Sequence, residues 1–383
     1  MKKLYFSVFI ICLQLTGVAQ DSAFSRQWVD TLTSPYFFGR GYTQQGMQKA
    51  AAYIRDAFKQ YGLVPLTGSS YIQEFSFDVN TFPGDMEVTI NNKKLMPGID
   101  YIVFPESTGS HTQGKLQQAD SVTFVNQEEK VIVTLKDKLT WSVGREEAPY
   151  TGIEVNKKAL TSNPASFKIA IDNKFVKDFK AANIAAMVRG TAQPDSFIFI
   201  TAHYDHLGSM GSKTFFPGAN DNASGIALLM NLAHYYAMHP QKYSMGFICF
   251  AAEEAGLVGS EYFTNHPLVP LSHIRFLINT DLAGTGSEGI TVVNATEFPE
   301  EFAMMNEVND KEKLLVKINA RGKAANSDHY YFTEKGVPSF FFYTQGGITA
   351  YHDVFDIAAT LPLQEQEDLF KLVRGFCNKL MNE

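Results

Sequence analysis

Apolar residues recur along this chain in two rhythms. Between 43 and 61, Met47, Ala50, Ile54, Phe58 and Tyr61 share one helical face, and Gly62 is placed to end the helix. Leu369, Leu372, Val373, Phe376 and Leu380 repeat this rhythm over 369–381, and Ile226, Leu229, Met230, Ala233 and Tyr236 do so before Pro240. Between the helical stripes lie near-continuous apolar runs at 184–188, 197–201, 245–251, 274–280 and 338–343. Such runs suit strands at the centre of a sheet covered on both faces. Strands alternating with helices predict a layered α/β fold.

The texture changes between 76 and 165. Residues 86–90 alternate as a strand and Asn91-Asn92 follows as a turn, with further short strands expected at 121–125 and 130–135. This stretch reads as a mainly β insert. It divides a catalytic unit made of residues 20–75 and 166–383.

Composition narrows the class. Only 19% of the 383 residues are charged, too few for long disordered tails. The net charge of −7 argues against nucleic acid or an anionic membrane as partner. Lys2 and Lys3, an apolar stretch over 4–15 and the small residues Gly17, Val18 and Ala19 predict a signal peptide over 1–19, cut ahead of Gln20. The mature chain is then exported, periplasmic or secreted, and its charge falls from −7 to −9 as the two lysines leave. The apolar stretch is too short to span a bilayer stably. Cys249 and Cys377 lie in an apolar run and an amphipathic helix, so a disulfide scaffold is not expected.

Five short stretches carry the candidate chemistry: His203-Tyr204-Asp205-His206, Asp221 to Gly225, Glu253-Glu254, Asp281, and Tyr351-His352-Asp353. Four lie at or just beyond the carboxyl ends of expected strands, where sites gather in layered α/β folds. His203 is a candidate ligand, with Asp205 two residues on as its acceptor. Asp221 precedes a helix, where a carboxylate serves either as an N-cap or as a bridge between two ions. Two acids closing a buried strand at Glu253-Glu254 are costly unless matched by cations, and adjacent side chains diverge, so one can bind metal and the other face water. Asp281 closes another apolar run, and His352 lies in the loop after the last. Two imidazoles and three carboxylates, one of them shared, give each of two ions three protein ligands and leave a position open for water. Mixed nitrogen and oxygen donors favour zinc.

These motifs resemble metallopeptidase family 28, which includes bacterial zinc aminopeptidases, glutamate carboxypeptidase II and the transferrin receptor ectodomain. The similarity runs through His203 to Gly208, Gly218 to Gly225, Ala252 to Ser260, Ile278 to Gly284, Ser327 to His329 and Tyr351 to Asp356, with Phe38-Gly39-Arg40 resembling the N-terminal segment. The resemblance implies a three-layer α/β/α sandwich with a mixed, largely parallel sheet. It implies two zinc ions, His203 and Asp281 on one, Glu254 and His352 on the other, Asp221 bridging. It makes Glu253 the general acid/base and Asp205 the residue orienting His203, and it implies a cis peptide at Asp221-Asn222. Residues 151–160 resemble a strand-helix junction of protease-associated domains, so the insert is expected to be a reduced form of one.

The implied activity is an aminopeptidase acting on peptides. The same fold also hosts glutaminyl-peptide cyclases, carboxypeptidases, for which Arg321 is the main carboxylate-binding candidate here, and receptor-like binding modules without chemistry. Candidate substrate contacts are Asp328, Tyr343 and Tyr351, with Phe215 and Phe216 lining an apolar pocket or simply packing their loop. His206 and His329 are expected outside the ligand set. Oligomeric state is not legible.

Overall fold

The structure, a computed structural model, describes residues 21–382. The expected signal segment, residues 1–19, lies outside them. A nine-stranded mixed sheet organises the catalytic unit. Its centre is parallel, with Tyr243–Phe250, Gln193–His203, Ile274–Thr280 and Ser339–Thr344 side by side. Antiparallel pairs flank it, Lys174–Val188 on one side and Ile290–Val293 on the other.

Alternation along these strands accounts for the layers. Met245, Phe247 and Cys249 enter a core with the helices Asp21–Leu32, Gly46–Gln60, Gly225–Met238 and Gln366–Asn382. Ile248 and Phe250 point the other way, onto Phe263 of Val258–Asn265 and Phe332 of His329–Glu334. Successive side chains on opposite faces, both apolar, are what an uninterrupted apolar run requires. The result is the three-layer α/β/α arrangement with a mixed sheet. Among the described residues no helix is long and apolar enough to cross a membrane.

The insert folds as a β module of two sheets. Lys93–Leu95, Met86–Ile90, Ser166–Ile171 and Ser110–Lys115 form one, and Tyr101–Val103, Thr151–Asn156, Val131–Lys136, Thr123–Asn126 and Gln117–Gln118 the other. Ser166–Ile171 corrects the boundary expected at 165. It reads from sequence as the start of the catalytic unit, but it pairs on both sides within the module and buries Phe167, Ile169 and Ile171 there. The chain enters and leaves along the antiparallel pair Ile72–Thr81 and Lys174–Val188, which continues the central sheet outward. The module's core does not stop at its own residues. Leu207, Met210 and Phe216, from the loop that follows His203, are buried in it.

Candidate metal centre

His203 ends a strand of the central sheet, Glu254 and Asp281 follow others, Asp221 lies in the segment leading into Gly225–Met238, and His352 lies in the loop after Ser339–Thr344. Gln193–His203 delivers His203 as its last residue. Tyr243–Phe250 ends three residues before Glu253, with Ala252 at φ +58° between them, and Leu282 at φ +53° follows Asp281. His352 itself has φ +53°. Left-handed backbone at non-glycine residues costs about 1–3 kcal/mol each and persists where surrounding structure imposes it. The Asp221-Asn222 peptide is cis, and Gly218, at φ +59°, lies where a Cβ would collide with the His206 ring and the Asp221 carbonyl.

The side chains converge. His203 Nε2 lies 3.4 Å from Asp221 Oδ1 and 3.3 Å from Asp281 Oδ1. His352 Nε2 lies 3.2 Å from Asp221 Oδ2 and 3.2 Å from Glu254 Oε2. Glu253 Oε2 is 4.0 Å from His203 Nε2. The two oxygens of Asp221 thus face two different imidazoles. Asp221 does not cap a helix with its side chain. Instead its carboxylate points into this cluster, while Asn222 Oδ1 accepts from the backbone N–H of Gly225.

The donor set fits metal ions. Buried polar atoms are nearly always hydrogen-bonded, yet His203 Nε2 and Asp281 Oδ1 are buried with no hydrogen-bond partner. Both point at the same small space, and both are atoms that bind zinc. Without a cation, the acids and imidazoles compensate one another. Burial opposes charge on His352, but Glu254 and Asp221 outweigh it and hold its pKa up at about 11. His203 is raised in the same way, against burial, chiefly by Asp281 and Glu253. Burial raises Glu254, with Asp221 adding, but His352 and His206 outweigh them and bring it to about 2. A divalent cation held by these residues would displace protons from the two imidazoles and take over their role as counter-charge.

Asp205 is fully buried and contacts His203 less directly than expected. His203 Nδ1 is 3.2 Å from the Asp205 carbonyl and 3.7 Å from its carboxylate. The carboxylate instead accepts from Tyr42 Oη at 3.2 Å and from the backbone N–H groups of Glu253 and Glu254 at 3.2 and 3.4 Å. It ties the glutamate turn to the His203 strand. His206 touches the cluster, its Nδ1 2.6 Å from Glu254 Oε1 and 3.9 Å from Asp221 Oδ1. His329 is buried beside Phe341, and burial lowers it to about 4.

The substrate candidates separate. Tyr351 is 43% exposed and stacks on the His352 ring at 4.0 Å, so it borders the centre. Tyr343 Oη accepts from Arg321 Nη1 at 3.0 Å. Asp328 is fully buried and does not reach solvent. Neither of its oxygens has a hydrogen-bond partner, and burial pushes it up to about 7. Phe216 packs its loop, being fully buried and stacked on Trp141 at 4.7 Å. An open cleft of about 1410 Å³, bordered by Glu254, Ala255, Gly256, Phe77 and Arg145, runs from the centre along the module.

Two residues without an expected role anchor the centre. Arg40, at φ +51° and fully buried, directs its guanidinium donors at main-chain carbonyls: Nε to Tyr204, Nη1 to Leu32 and Pro217, Nη2 to Gly218 and Asp221. Asp356 accepts from the backbone N–H groups of Asn220 and Asp221 at 2.8 and 3.0 Å. The sequence signals for Arg40 are its place directly after the apolar Phe37-Phe38-Gly39 stretch and the resemblance of Phe38-Gly39-Arg40 to the family's N-terminal segment.

Similarities to known proteins agree with this geometry. The model of peptidase family M28 matches residues 183–377, half of the chain. Aminopeptidase YwaD of Bacillus subtilis is 32% identical over 151 residues, which are 38% of this chain and 31% of that protein. A probable leucine aminopeptidase of Arthroderma otae is 26% identical over 263 residues, 62% of this chain and 66% of that one. The chain spans between 23% and 31% of the length of the first three curated relatives it matches. In fold it is similar to a zinc aminopeptidase from Bacillus subtilis, with TM-score 0.69, 16% identity and 94% and 95% of the two chains covered. It is equally similar to a peptidase M28 precursor from Shewanella amazonensis, with TM-score 0.72, 15% identity and 95% and 94% covered. With a family model spanning half its length over the stretch that holds all five candidate ligands, the chain belongs to peptidase family M28.

Proposed function

We propose that this chain is a two-zinc aminopeptidase that removes N-terminal residues from peptides. The observation that carries the reading is Asp221, whose Oδ1 faces His203 and whose Oδ2 faces His352. A single ion would find three donors in His203, Asp221 and Glu254, or in His203, Glu253 and Asp281, each set within 4.8 Å. Neither set uses both Asp221 oxygens or His352. Two ions use all five ligands: His203, Asp281 and Asp221 for one, Glu254, His352 and Asp221 for the other.

Two zinc ions held there would polarise a scissile carbonyl and lower the pKa of a bound water molecule. The chain's own residues do the rest. Glu253 sits beside His203 without belonging to either ligand trio. Burial raises its proton affinity, His203 opposes, and Glu254, Asp328 and Asp281 add to the rise. A carboxyl group in that setting takes the proton of the attacking water and returns it to the leaving amine. Asp205 fixes the backbone of the Glu253-Glu254 turn and thereby the aim of both side chains. The cleft beside Glu254 admits an extended peptide.

Aminopeptidase relatives support the direction of attack. Arg321, the cation a carboxypeptidase reading needs, is engaged by Tyr343. The test is digestion of a peptide library by the zinc-loaded mature chain. Stepwise loss of residues from free N-termini is expected, with N-acetylated peptides left intact. Release from the carboxyl end, or cyclisation of N-terminal glutamine in place of hydrolysis, would contradict the assignment.

A further inference from the structure

The β module contacts the metal centre directly at Trp141. Trp141, on the segment between Val131–Lys136 and Thr151–Asn156, grips His352 from both sides of its peptide. Its backbone N–H donates to the His352 carbonyl at 2.9 Å, and its carbonyl lies 2.9 Å from His352 Nδ1. A carbonyl only accepts, so Nδ1 carries the hydrogen. Metal binding would then take the proton from Nε2, the atom that faces Asp221 and Glu254, and leave the hydrogen on Nδ1 in place. No residue of the catalytic unit is needed for this.

Trp141 is itself held by the module. Its indole Nε1 donates to the Val103 carbonyl at 2.9 Å, and its ring stacks on Phe216 at 4.7 Å, itself buried in the module's core. Around it, Lys138 Nζ donates to the Thr349 carbonyl at 2.9 Å, and Val354 packs against the same core. The loop that carries His352 is therefore seated on the module, while the other four ligands come from the catalytic sheet and its helix.

We propose that Trp141 is a positioning residue for the reaction, through which the β module sets the affinity of one zinc site and not the other. This rests on the two-zinc reading. Outer partners of metal-bound histidines typically change metal affinity about 10–100-fold. The left-handed backbone of His352 adds to the need for a clamp, since a loop released from it relaxes toward commoner conformations.

The experiment is zinc titration of the full mature chain against a competing chelator, which reads two dissociation constants independently of turnover. Trp141→Ala is expected to weaken one zinc by about 10–100-fold and to leave the other unchanged. Trp141→Phe, which keeps the ring stacked on Phe216, is expected to restore most of the loss. Phe124→Ala, in the same core on Thr123–Asn126, is the control for general loosening and should leave both constants unchanged. If Trp141→Ala does not fold, Lys138→Met opens the same clamp from a half-exposed position and should weaken the same zinc, by up to about 10-fold. Wild-type constants in both the Trp141→Ala and Lys138→Met chains would overturn the inference, as would equal losses in Phe124→Ala. A wild-type chain that binds a single zinc would instead overturn the two-zinc reading on which the inference stands.

Discussion

Glu253→Gln is expected to bind two zinc ions as the unaltered chain does and to lose about 10²–10⁴-fold in kcat, the usual contribution of a positioned acid or base. The substitution keeps size and hydrogen-bonding shape but cannot accept a proton. Glu253 Oε2 lies 4.0 Å from His203 Nε2, whereas Asp221 and Asp281 approach the same atom at 3.4 and 3.3 Å. Metal binding is thus assigned to the closer acids and proton transfer to Glu253. KM should change little, because the ions and the cleft remain. Zinc content together with kcat and KM checks this. A variant that keeps its turnover, or one that loses a zinc ion, contradicts the division between Glu253 and Glu254.

Arg40→Met is expected to destabilise the chain by about 3–5 kcal/mol, the cost of leaving buried charge without its partner. Arg40 satisfies five buried main-chain carbonyls, those of Leu32, Tyr204, Pro217, Gly218 and Asp221, which lose these donors when it is replaced. Burial lowers its pKa to about 10, with Asp221, Asp356, Asp205 and Glu254 opposing, so it stays charged at neutral pH and offsets their charge. Zinc supplies part of the same compensation. The loss should therefore be larger in metal-free protein than in zinc-loaded protein. Arg40→Lys should recover little, since an ammonium has three donors and no fork. Chemical denaturation with and without zinc measures both quantities. Stability within about 0.5 kcal/mol of the unaltered chain, the range of ordinary surface changes, would show that Arg40 holds nothing up.

The layered fold was legible because its central strands are apolar on both faces. Met245 and Phe247 answer to one helix layer, Ile248 and Phe250 to the other, and no polar position interrupts them. Helices with a clean stripe, such as Gly46–Gln60, were equally plain. Pro299–Glu312 was not, since it buries only Met305, Val308 and Asn309 and presents polar residues elsewhere. The module boundary was misplaced because Ser166–Ile171 alternates as any half-buried strand does, and nothing local tells which sheet it joins. Register and partner are set by tertiary packing.

At the centre, residue types that zinc requires stood out at strand ends. Their supports did not. Arg40 lies more than 160 residues from Tyr204 in sequence, and its partners are main-chain carbonyls, which carry no residue signature. Trp141 acts on His352 through backbone atoms and is equally silent in sequence. The burial of Asp328, a candidate substrate contact, was likewise not legible from its neighbours Ser327 and His329.

On the proposed reading, Asp221 joins two zinc ions. Diffraction from zinc-loaded crystals at the zinc absorption edge tests it most directly. Two anomalous peaks about 3.5–4 Å apart are predicted, the spacing of paired catalytic ions, with Asp221 between them, one against His203 and Asp281 and the other against Glu254 and His352. A single peak, or a pair in which Asp221 touches only one, would contradict the account.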